Sequence, residues 1–272
     1  VRAISRLALN NAIRTGEINK LYKEIDNLLL KDSGNFKQAL RVVVVSSATG
    51  GTGSGMAMIT AMLIREYLHD HYREKKAIVR GFFVLPSVMD TVIDCQMERN
   101  SQYRNGYATL KEINAFMMIG SGFGETEDEL KRYKDIHISV PTPTGESRKL
   151  NCLPFDFCFL LEAADKNAEG MDSLEKYKCA AALSIYEQNI GPMQKRSFSL
   201  EDNIVKEFSA KNKFGRNRFG GIGASKIVYP YEDIMAYMTY DRTLSRIGKA
   251  EANNNTEEGT IDEAIDWYKY DR

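Results

Sequence analysis

The sequence predicts an α/β domain in which a mostly parallel sheet is flanked by helices. Segments typical of strands alternate with segments typical of helices, which is the order that produces parallel sheets. The first strand segment, residues 41–47, is apolar on both faces, as expected of a strand covered by helices on both sides. A glycine-rich loop follows the first strand, and ligands of such sheets bind beyond the carboxyl ends of the strands. The strand segments are residues 41–47, 77–87 and 155–165.

Residues 1–31 predict a helix with an interruption near Gly16. The chain opens at Val1, without a methionine, and enters this helical pattern at once. We therefore expect it to be a piece of a longer polypeptide. The apolar residues that recur at helical spacing are Ile18, Leu21, Ile25, Leu28 and Leu29.

Further helices are predicted after the glycine loop and from Glu98 to Phe116. Residues 120–150 are polar and rich in glycine, so we expect an insertion or exposed excursion there, outside the core. Residues 173–190 predict a central helix. Its small apolar tract, Cys179–Leu183, suits a helix buried at the centre of the fold.

Composition gives no sign of a nucleic-acid or membrane partner. Lysine and arginine total 37, and so do aspartate and glutamate. No apolar run approaches the ~20 residues that span a bilayer, and we see no secretory leader, so we expect a cytoplasmic protein. In a reducing cytoplasm the four cysteines are expected to be free thiols, and the three histidines show no metal-binding spacing.

The segment Arg41–Gly55, RVVVVSSATGGTGSG, places four valines directly before a run with four glycines within six positions. A glycine loop that opens a helix exposes backbone N–H groups that have no partner in the chain. These donors and the positive end of the helix dipole favour anions, phosphate above all. The hydroxyl groups of Thr49, Thr52 and Ser54 would add further donors.

Two common nucleotide motifs do not fit this loop. A Walker loop closes on Gly-Lys-Ser/Thr, whereas Gly53–Gly55 is followed by Met56. The dinucleotide fingerprint needs three glycines at fixed spacing, and neither Gly50 nor Gly51 as the first glycine supplies all three. A dinucleotide-dependent enzyme stays an alternative, although the strand 77–87 ends without the acidic residue that would hold the ribose.

The run Thr49–Gly55 resembles the glycine signature of the tubulin and FtsZ superfamily, Gly-Gly-Gly-Thr-Gly-Ser/Thr-Gly, with threonine for the first glycine. An aliphatic strand precedes it and a long helix rich in methionine and alanine follows, as in that superfamily. The resemblance covers residues 35–205. It implies a tubulin/FtsZ-like, Rossmann-like three-layer domain that binds GTP or GDP, with Mg²⁺ as the accompanying ion. The residues that it assigns to nucleotide binding here are Thr49, Gly50, Gly51, Thr52, Gly53, Ser54 and Gly55.

The resemblance also assigns an arginine at the start of the helix after strand 77–87, and residues around the guanine base of the nucleotide. Aligning Gly106 with the superfamily pattern puts Arg99 at the position of an arginine that reaches the nucleotide. Tyr177 fits an aromatic that stacks on guanine, with a core position as the alternative. One turn later Ala181 stands where the family has a base-reading asparagine, and Asn167 could substitute for it.

An acidic residue that activates water is expected in the loop after the central helix. The resemblance places this loop near residue 202, where Glu201 and Asp202 stand. The alternative is that both acids lie in the first turn of a helix capped by Ser199.

The resemblance implies a divergent, prokaryotic GTP-binding protein that hydrolyses GTP at a head-to-tail subunit contact and forms filaments. A catalytically weak nucleotide-binding scaffold of the same fold is the alternative. Superfamily members carry an earlier strand and a first phosphate loop, which this sequence lacks. We expect residues 1–205 to form the nucleotide-binding domain, and residues 206–272 a partial second domain or a C-terminal extension.

Overall fold

The computed structural model describes residues 2–31, 40–73, 77–120, 136–163, 173–209, 219–221 and 230–254. The chain forms two compact units, Val1–Ala224 and Ser225–Arg272. The helices described in the first unit are α1 (Arg2–Arg14), α2 (Ile18–Lys31), α3 (Gly51–His71), α4 (Pro86–Met89), α5 (Gln96–Gly120), α6 (Leu174–Asn189) and α7 (Gln194–Ser209). Its strands are β1 (Leu40–Ser47), β2 (Ala77–Val84), β3 (Ile138–Pro141), β4 (Ser147–Leu150), β5 (Phe157–Leu161) and β6 (Phe219–Gly221). In the second unit the described helix is α8 (Tyr231–Asn254).

Four of the described strands form a parallel sheet in the order β1-β2-β5-β6. Val44 of β1 pairs with Gly81 of β2, which in turn pairs with Cys158 of β5. The helices between these strands allow each strand to run in the same direction. The predicted α/β fold with a parallel, helix-flanked sheet is therefore confirmed.

One face of the sheet carries the main hydrophobic core. Because side chains alternate along a strand, Val79 and Phe83 of β2 lie on the same face as Cys158 of β5. All three belong to one buried cluster with residues of α1, α3 and α5. The residues that these helices contribute are Leu9, Ile13, Ala57, Met58, Ile59, Ala61, Met62, Leu63, Ile113, Phe116 and Met117.

The opposite face of the sheet is covered by α6 and α7. The rings of Phe82 and Phe159 stack across neighbouring strands with centroids 4.9 Å apart. Tyr177 of α6 packs in a second buried cluster with Leu161 of β5. Between these apolar groups, Arg80 points from the middle of β2 and is fully buried.

The interruption of the first helix lies where the sequence predicts it. α1 ends at Arg14 and α2 begins at Ile18. Gly16 between them has φ 76°, a left-handed conformation that glycine adopts without steric cost.

Residues 136–150 differ from the expected exposed excursion. β3 and β4 pair as an antiparallel hairpin, and Ile138, Val140 and Leu150 from it lie in the main core. The expectation is wrong for this part because the two short strands each turn one apolar edge inward while their polar residues face out. The rest of the predicted excursion, 121–135, lies outside the described residues.

The tract Cys179–Leu183 is not buried as expected. In α6 the buried residues are Tyr177 and Ser184, and Cys179 is exposed. The prediction is wrong because α6 contacts the sheet through the side that carries Tyr177, against which Ala181 packs, and this leaves Cys179 and Ala182 exposed.

The four cysteines are free, as expected, and they differ in exposure. Cys158 is buried, Cys152 is half-buried, and Cys95 and Cys179 are exposed. Burial raises the pKa of the Cys158 thiol to about 12. Among the described helices, none combines the length and apolarity needed to cross a bilayer.

A carboxylate–tyrosine cluster joins α2 to α3 and gives the fold a pH dependence. Asp26 accepts hydrogen bonds from the hydroxyl of Tyr72 at 2.7 Å and from that of Tyr67 at 2.7 and 2.8 Å. The bond from Tyr72, followed by that from Tyr67, lowers the pKa of Asp26 below its usual 3.8. The folded state therefore favours the ionised carboxylate.

We expect Asp26→Asn to destabilise the protein at neutral pH, and the difference from the wild type to shrink in acid. A lowered folded-state pKa adds stability above the unfolded-state pKa, and this stability is lost as the pH falls through the folded-state value. Urea unfolding between pH 7 and pH 3 measures the difference. Glu24→Gln, on an exposed part of α2, is the control and should show no such trend. An Asp26→Asn difference that stays constant with pH would contradict the prediction.

Candidate phosphate-binding site

The turn between β1 and α3 contains only one of the four glycines, because α3 already begins at Gly51. The N–H of Ala48 still donates to the carbonyl oxygen of Val84 at 3.0 Å, so the strand pairing reaches one residue beyond β1. Gly50 is the N-cap of α3, with φ −70° and ψ 149°. Of the four glycines only Gly50 precedes the helix, and the other three lie in its first turns.

The first turn of α3 presents backbone donors at the carboxyl end of the sheet. The first backbone bond of the turn runs from the N–H of Ser54 to the carbonyl oxygen of Gly50, 3.1 Å away. Among the described residues, no partner reaches the N–H groups of Gly51, Thr52 and Gly53, and no side chain caps the helix. Together with the helix dipole, these donors make a site for an anion.

The glycines of this turn have different structural roles. A Cβ at Gly53 would stand 2.0 Å from the Ser46 hydroxyl oxygen, and one at Gly55 would stand 2.6 Å from the carbonyl oxygen of Arg2. These two glycines therefore let α3 approach β1 and α1 closely. A Cβ at Gly50 would meet no atom within 4 Å, so the space beside the N-cap is open.

The hydroxyl groups predicted to face the ligand are mostly used inside the protein. Thr49 is buried, and its hydroxyl lies 2.8 Å from that of Ser47. Ser54 is also buried, and its hydroxyl donates to the carbonyl oxygen of Gly50 at 2.5 Å. Thr52 is exposed and remains the hydroxyl that a ligand could meet.

α5 supports the turn from one side. Asn105 donates from Nδ2 to the carbonyl oxygen of Thr49 at 3.3 Å, and Thr109 donates from Oγ1 to that of Ala48 at 3.0 Å. A Cβ at Gly106 would stand 2.7 Å from Pro86, so α5 approaches the start of α4 closely. The roles of Asn105 and Thr109 were not predicted from the sequence. Gly106 was the available signal, because a glycine inside a helix often marks a close approach.

α1 supports the turn from another side. The Ser5 hydroxyl lies 2.7 Å from the carbonyl oxygen of Gly51, and Arg2 donates to that of Ser54 at 3.3 Å. Arg2 also forms an ion pair with Glu112 of α5 at 2.5 Å. No sequence signal could identify Ser5, because its partner lies 46 residues away.

Arg99 lies at the start of α5 and forms hydrogen bonds to the segment between α4 and α5. Its Nε donates to the carbonyl oxygen of Ile93 at 2.5 Å, and its Nη2 donates to that of Asp90 at 3.3 Å. The Asp90 carboxylate is 3.8 Å from Nε. Arg99 thus shapes the loop that follows α4, and about a third of its side chain is exposed.

The residues predicted around the base are not brought to the turn by the described contacts. Tyr177 is 2 % exposed and packs with Val88 and Leu161, in the core position that the sequence allowed as its alternative. Its ring face is therefore occupied by protein. Asn167 lies outside the described residues.

The two predicted acids lie in the middle of α7. This helix begins at Gln194, so the alternative in which Ser199 caps it is wrong. Glu201 is 4 % exposed and forms an ion pair with Arg80. The backbone of Asp202 belongs to the same helix, whereas its side chain lies outside the described part of the structure.

A buried charge cluster surrounds Glu201. Arg80 donates from Nη1 to Oδ1 of Asn189 at 2.7 Å, in addition to its bond to Glu201. Nε of Arg41 lies 3.8 Å from the same carboxylate, and its guanidinium carbon stands 3.3 Å from the ring centroid of Phe198. The cluster fixes α7 to β1 and β2.

Comparison with curated proteins gives no match, and comparison with solved structures gives none either. A family model described as "Tubulin like" matches residues 1–246. This match agrees with the glycine signature at Thr49–Gly55 and with the parallel sheet that leads into it. The chain therefore belongs to the tubulin-like family.

Proposed function

We propose that this protein binds GTP through the first turn of α3, with the polyphosphate held by the N–H groups of Gly51, Thr52 and Gly53. The observation that carries the proposal is the set of unpartnered donors beside an open N-cap at the carboxyl end of a parallel sheet. Membership of the tubulin-like family supports guanine nucleotides as the ligand class.

The support around the turn favours binding without rearrangement. Asn105, Thr109 and Ser5 already hold its carbonyl groups, and Gly53 and Gly55 keep its helix close to β1 and α1. Donors fixed before the ligand arrives lose little entropy on binding. Ala181 cannot hydrogen-bond a base, so we propose that Asn167 contributes to guanine preference.

Titration of the full chain with a fluorescent GTP analogue tests the proposal. We expect unlabelled GTP to displace the analogue, ATP to do so more weakly and NADH not at all. Absence of any binding would refute the proposal. Displacement by NADH as effective as that by GTP would favour the dinucleotide-dependent enzyme instead.

The arrangement of acidic residues in α7 supports a protein that binds GTP without hydrolysing it rapidly. The first turn of α7 contains no acidic residue, and Glu201 is engaged with Arg80. Hydrolysis at a head-to-tail contact, with Asp202 as the activating acid, is the second candidate, supported by the family. Phosphate release and light scattering after GTP addition separate the two. Rapid release that Asp202→Ala abolishes, with binding intact, would establish the second candidate.

A further inference from the structure

We infer that a cavity between α1, α3 and α5 binds a small amphipathic acid, which is a molecule with an apolar body and one carboxylate. The cavity has a volume of about 470 Å³. This volume lies within the range of small-molecule sites, about 300–1,000 Å³. The inference goes beyond the proposed function and does not rest on it, because Gly51, Thr52 and Gly53 are not among the residues that line the cavity.

The apolar part of the cavity lining suits a hydrocarbon body. Met58 and Ile59 of α3 line the cavity, and both belong to the main hydrophobic core. Leu7 of α1 also lines it, and 66 % of this residue is exposed to solvent. An apolar group in the cavity would remove the surface of these side chains from water, which favours binding.

The charged part of the lining has an excess of one positive charge. The ionisable residues that line the cavity are Arg2, Arg6 and Glu112. Arg2 and Glu112 form an ion pair at 2.5 Å, so their charges balance. Arg6 is half-buried, and no carboxylate of the described residues pairs with it. Because α1 contains no acidic residue, its own sequence offers no counter-ion either.

These charges identify the ionic group of the ligand. Arg2 and Arg6 are four positions apart on one side of α1, so their like charges repel each other. An anion in the cavity would offset this repulsion and supply Arg6 with a counter-ion. A carboxylate carries the single charge that balances the lining, and its two oxygens match the fork of an arginine. A phosphate dianion would exceed that charge and would be repelled by Glu112.

Titration of the full chain with octanoate, octanol and octylammonium tests this chemistry, because the three probes share one hydrocarbon chain. The NMR signal of the Met58 methyl group, assigned with Met58→Leu, reports binding at the cavity. We expect octanoate to shift this signal and to bind roughly ten- to a hundredfold more tightly than octanol, which is the range for one charged hydrogen bond. Octylammonium should bind no better than octanol.

Replacing Arg6 by methionine tests the charge while it keeps an unbranched side chain. We expect Arg6→Met to reduce the difference between octanoate and octanol to within about twofold, and Arg6→Lys to retain most of it. Arg14→Met is the matched control. Arg14 is an exposed arginine of the same helix that bonds to Asn11 and does not line the cavity, so its replacement should leave both affinities unchanged.

A second pair of variants tests the space. Ala3 is exposed and lines the cavity, so the indole of Ala3→Trp should occupy the cavity without displacing the core, and octanoate should no longer shift the Met58 signal. Ala8 is also an exposed alanine of α1, but it does not line the cavity. Ala8→Trp should therefore bind octanoate like the wild type. Thermal unfolding of each variant shows whether folded proteins are being compared.

Three results would overturn the inference. No shift of the Met58 signal with octanoate would show that the cavity does not take such a ligand. Equal affinities for octanoate and octanol in the wild type would show that the charge of Arg6 is not recognised. A loss of octanoate binding in Gly50→Asp, with none in Arg6→Met, would place the carboxylate at the first turn of α3. Binding or absence of binding of GTP changes none of these outcomes, so the proposed function and this inference can fail separately.

Discussion

Replacing Glu201 by alanine is expected to lower the free energy of unfolding by about 3–5 kcal/mol, the usual cost of leaving a buried charge without its counter-ion. Arg80 is fully buried in the middle of β2, and Glu201 is the carboxylate that it contacts. Its remaining bond, to the neutral side chain of Asn189, cannot balance the charge. Urea unfolding followed by circular dichroism measures the loss.

Two controls test whether the burial of the pair causes this effect. Glu175→Ala breaks an exposed pair with Lys178, at 2.6 Å on α6, and should cost only about 0.3–0.5 kcal/mol. The double variant Arg80→Met with Glu201→Leu removes both charges of this pair and should recover the part of the loss that comes from Arg80, while Arg41 still loses its contact with Glu201. A small cost for Glu201→Ala alone would show that water reaches Arg80 and would contradict the structure.

The same result affects how activity measurements on this residue are interpreted. A Glu201→Ala protein that does not hydrolyse GTP would not identify Glu201 as the catalytic acid. The substitution also removes the ion pairs that attach α7 to β1 and β2. Asp202→Ala addresses the chemistry more directly. Its effect should be compared with Glu201→Gln, which keeps a hydrogen-bond acceptor beside Arg80.

Replacing Gly50 by aspartate is expected to reduce GTP affinity by at least about a hundredfold while the protein stays as stable as the wild type or becomes more so. Gly50 has the extended backbone in which aspartate caps helices well. Its carboxylate would bond to the N–H groups of Thr52 or Gly53 and occupy the anion site. Two like charges about 4 Å apart near a surface repel by about 4 kcal/mol, enough for this loss. Thermal unfolding and GTP titration measure the two effects.

Gly50→Asn is the matched control, because asparagine caps the helix without a negative charge. It should lose much less affinity than Gly50→Asp, because it competes for the same donors but adds no charge. Equal losses for both variants would show that the added side chain, and not its charge, blocks the ligand. Wild-type affinity in both would place the phosphate elsewhere and refute the proposed site.

The fold class and the location of the turn could be predicted because both depend on local patterns. The valine run fixes β1, and the glycines from Gly50 to Gly55 fix the start of α3. The sequence could not show that Gly53 and Gly55 serve packing, because their neighbours are defined only once β1 and α1 have been placed against α3.

The pairing of Arg80 with Glu201 could not be predicted for the same reason. The two residues are separated by 121 positions in the sequence. Arg80 stands in an apolar strand, and Glu201 stands beside Asp202 in a segment that was predicted to be catalytic. Arg80 nonetheless offered a signal, because it interrupts a strand that is otherwise apolar on both faces. The alternation of Ile138 and Val140 was a comparable signal for β3, hidden by the polar residues around it.

The seating of α1 on α3 has a mechanical consequence. Ser5 and Arg2 hold carbonyl oxygens of the first turn of α3, and Gly55 leaves no room for a side chain between the helices. Tilting α1 would therefore strain the turn whose N–H groups face outward. By thermodynamic reciprocity, a ligand bound at that turn should make local opening of α1 less frequent. The backbone amide hydrogens of α1 should then exchange more slowly with solvent. A displacement of α1 would therefore change the affinity of the turn for an anion, and a bound anion would change the free energy of displacing α1, through the bonds of Arg2 and Ser5.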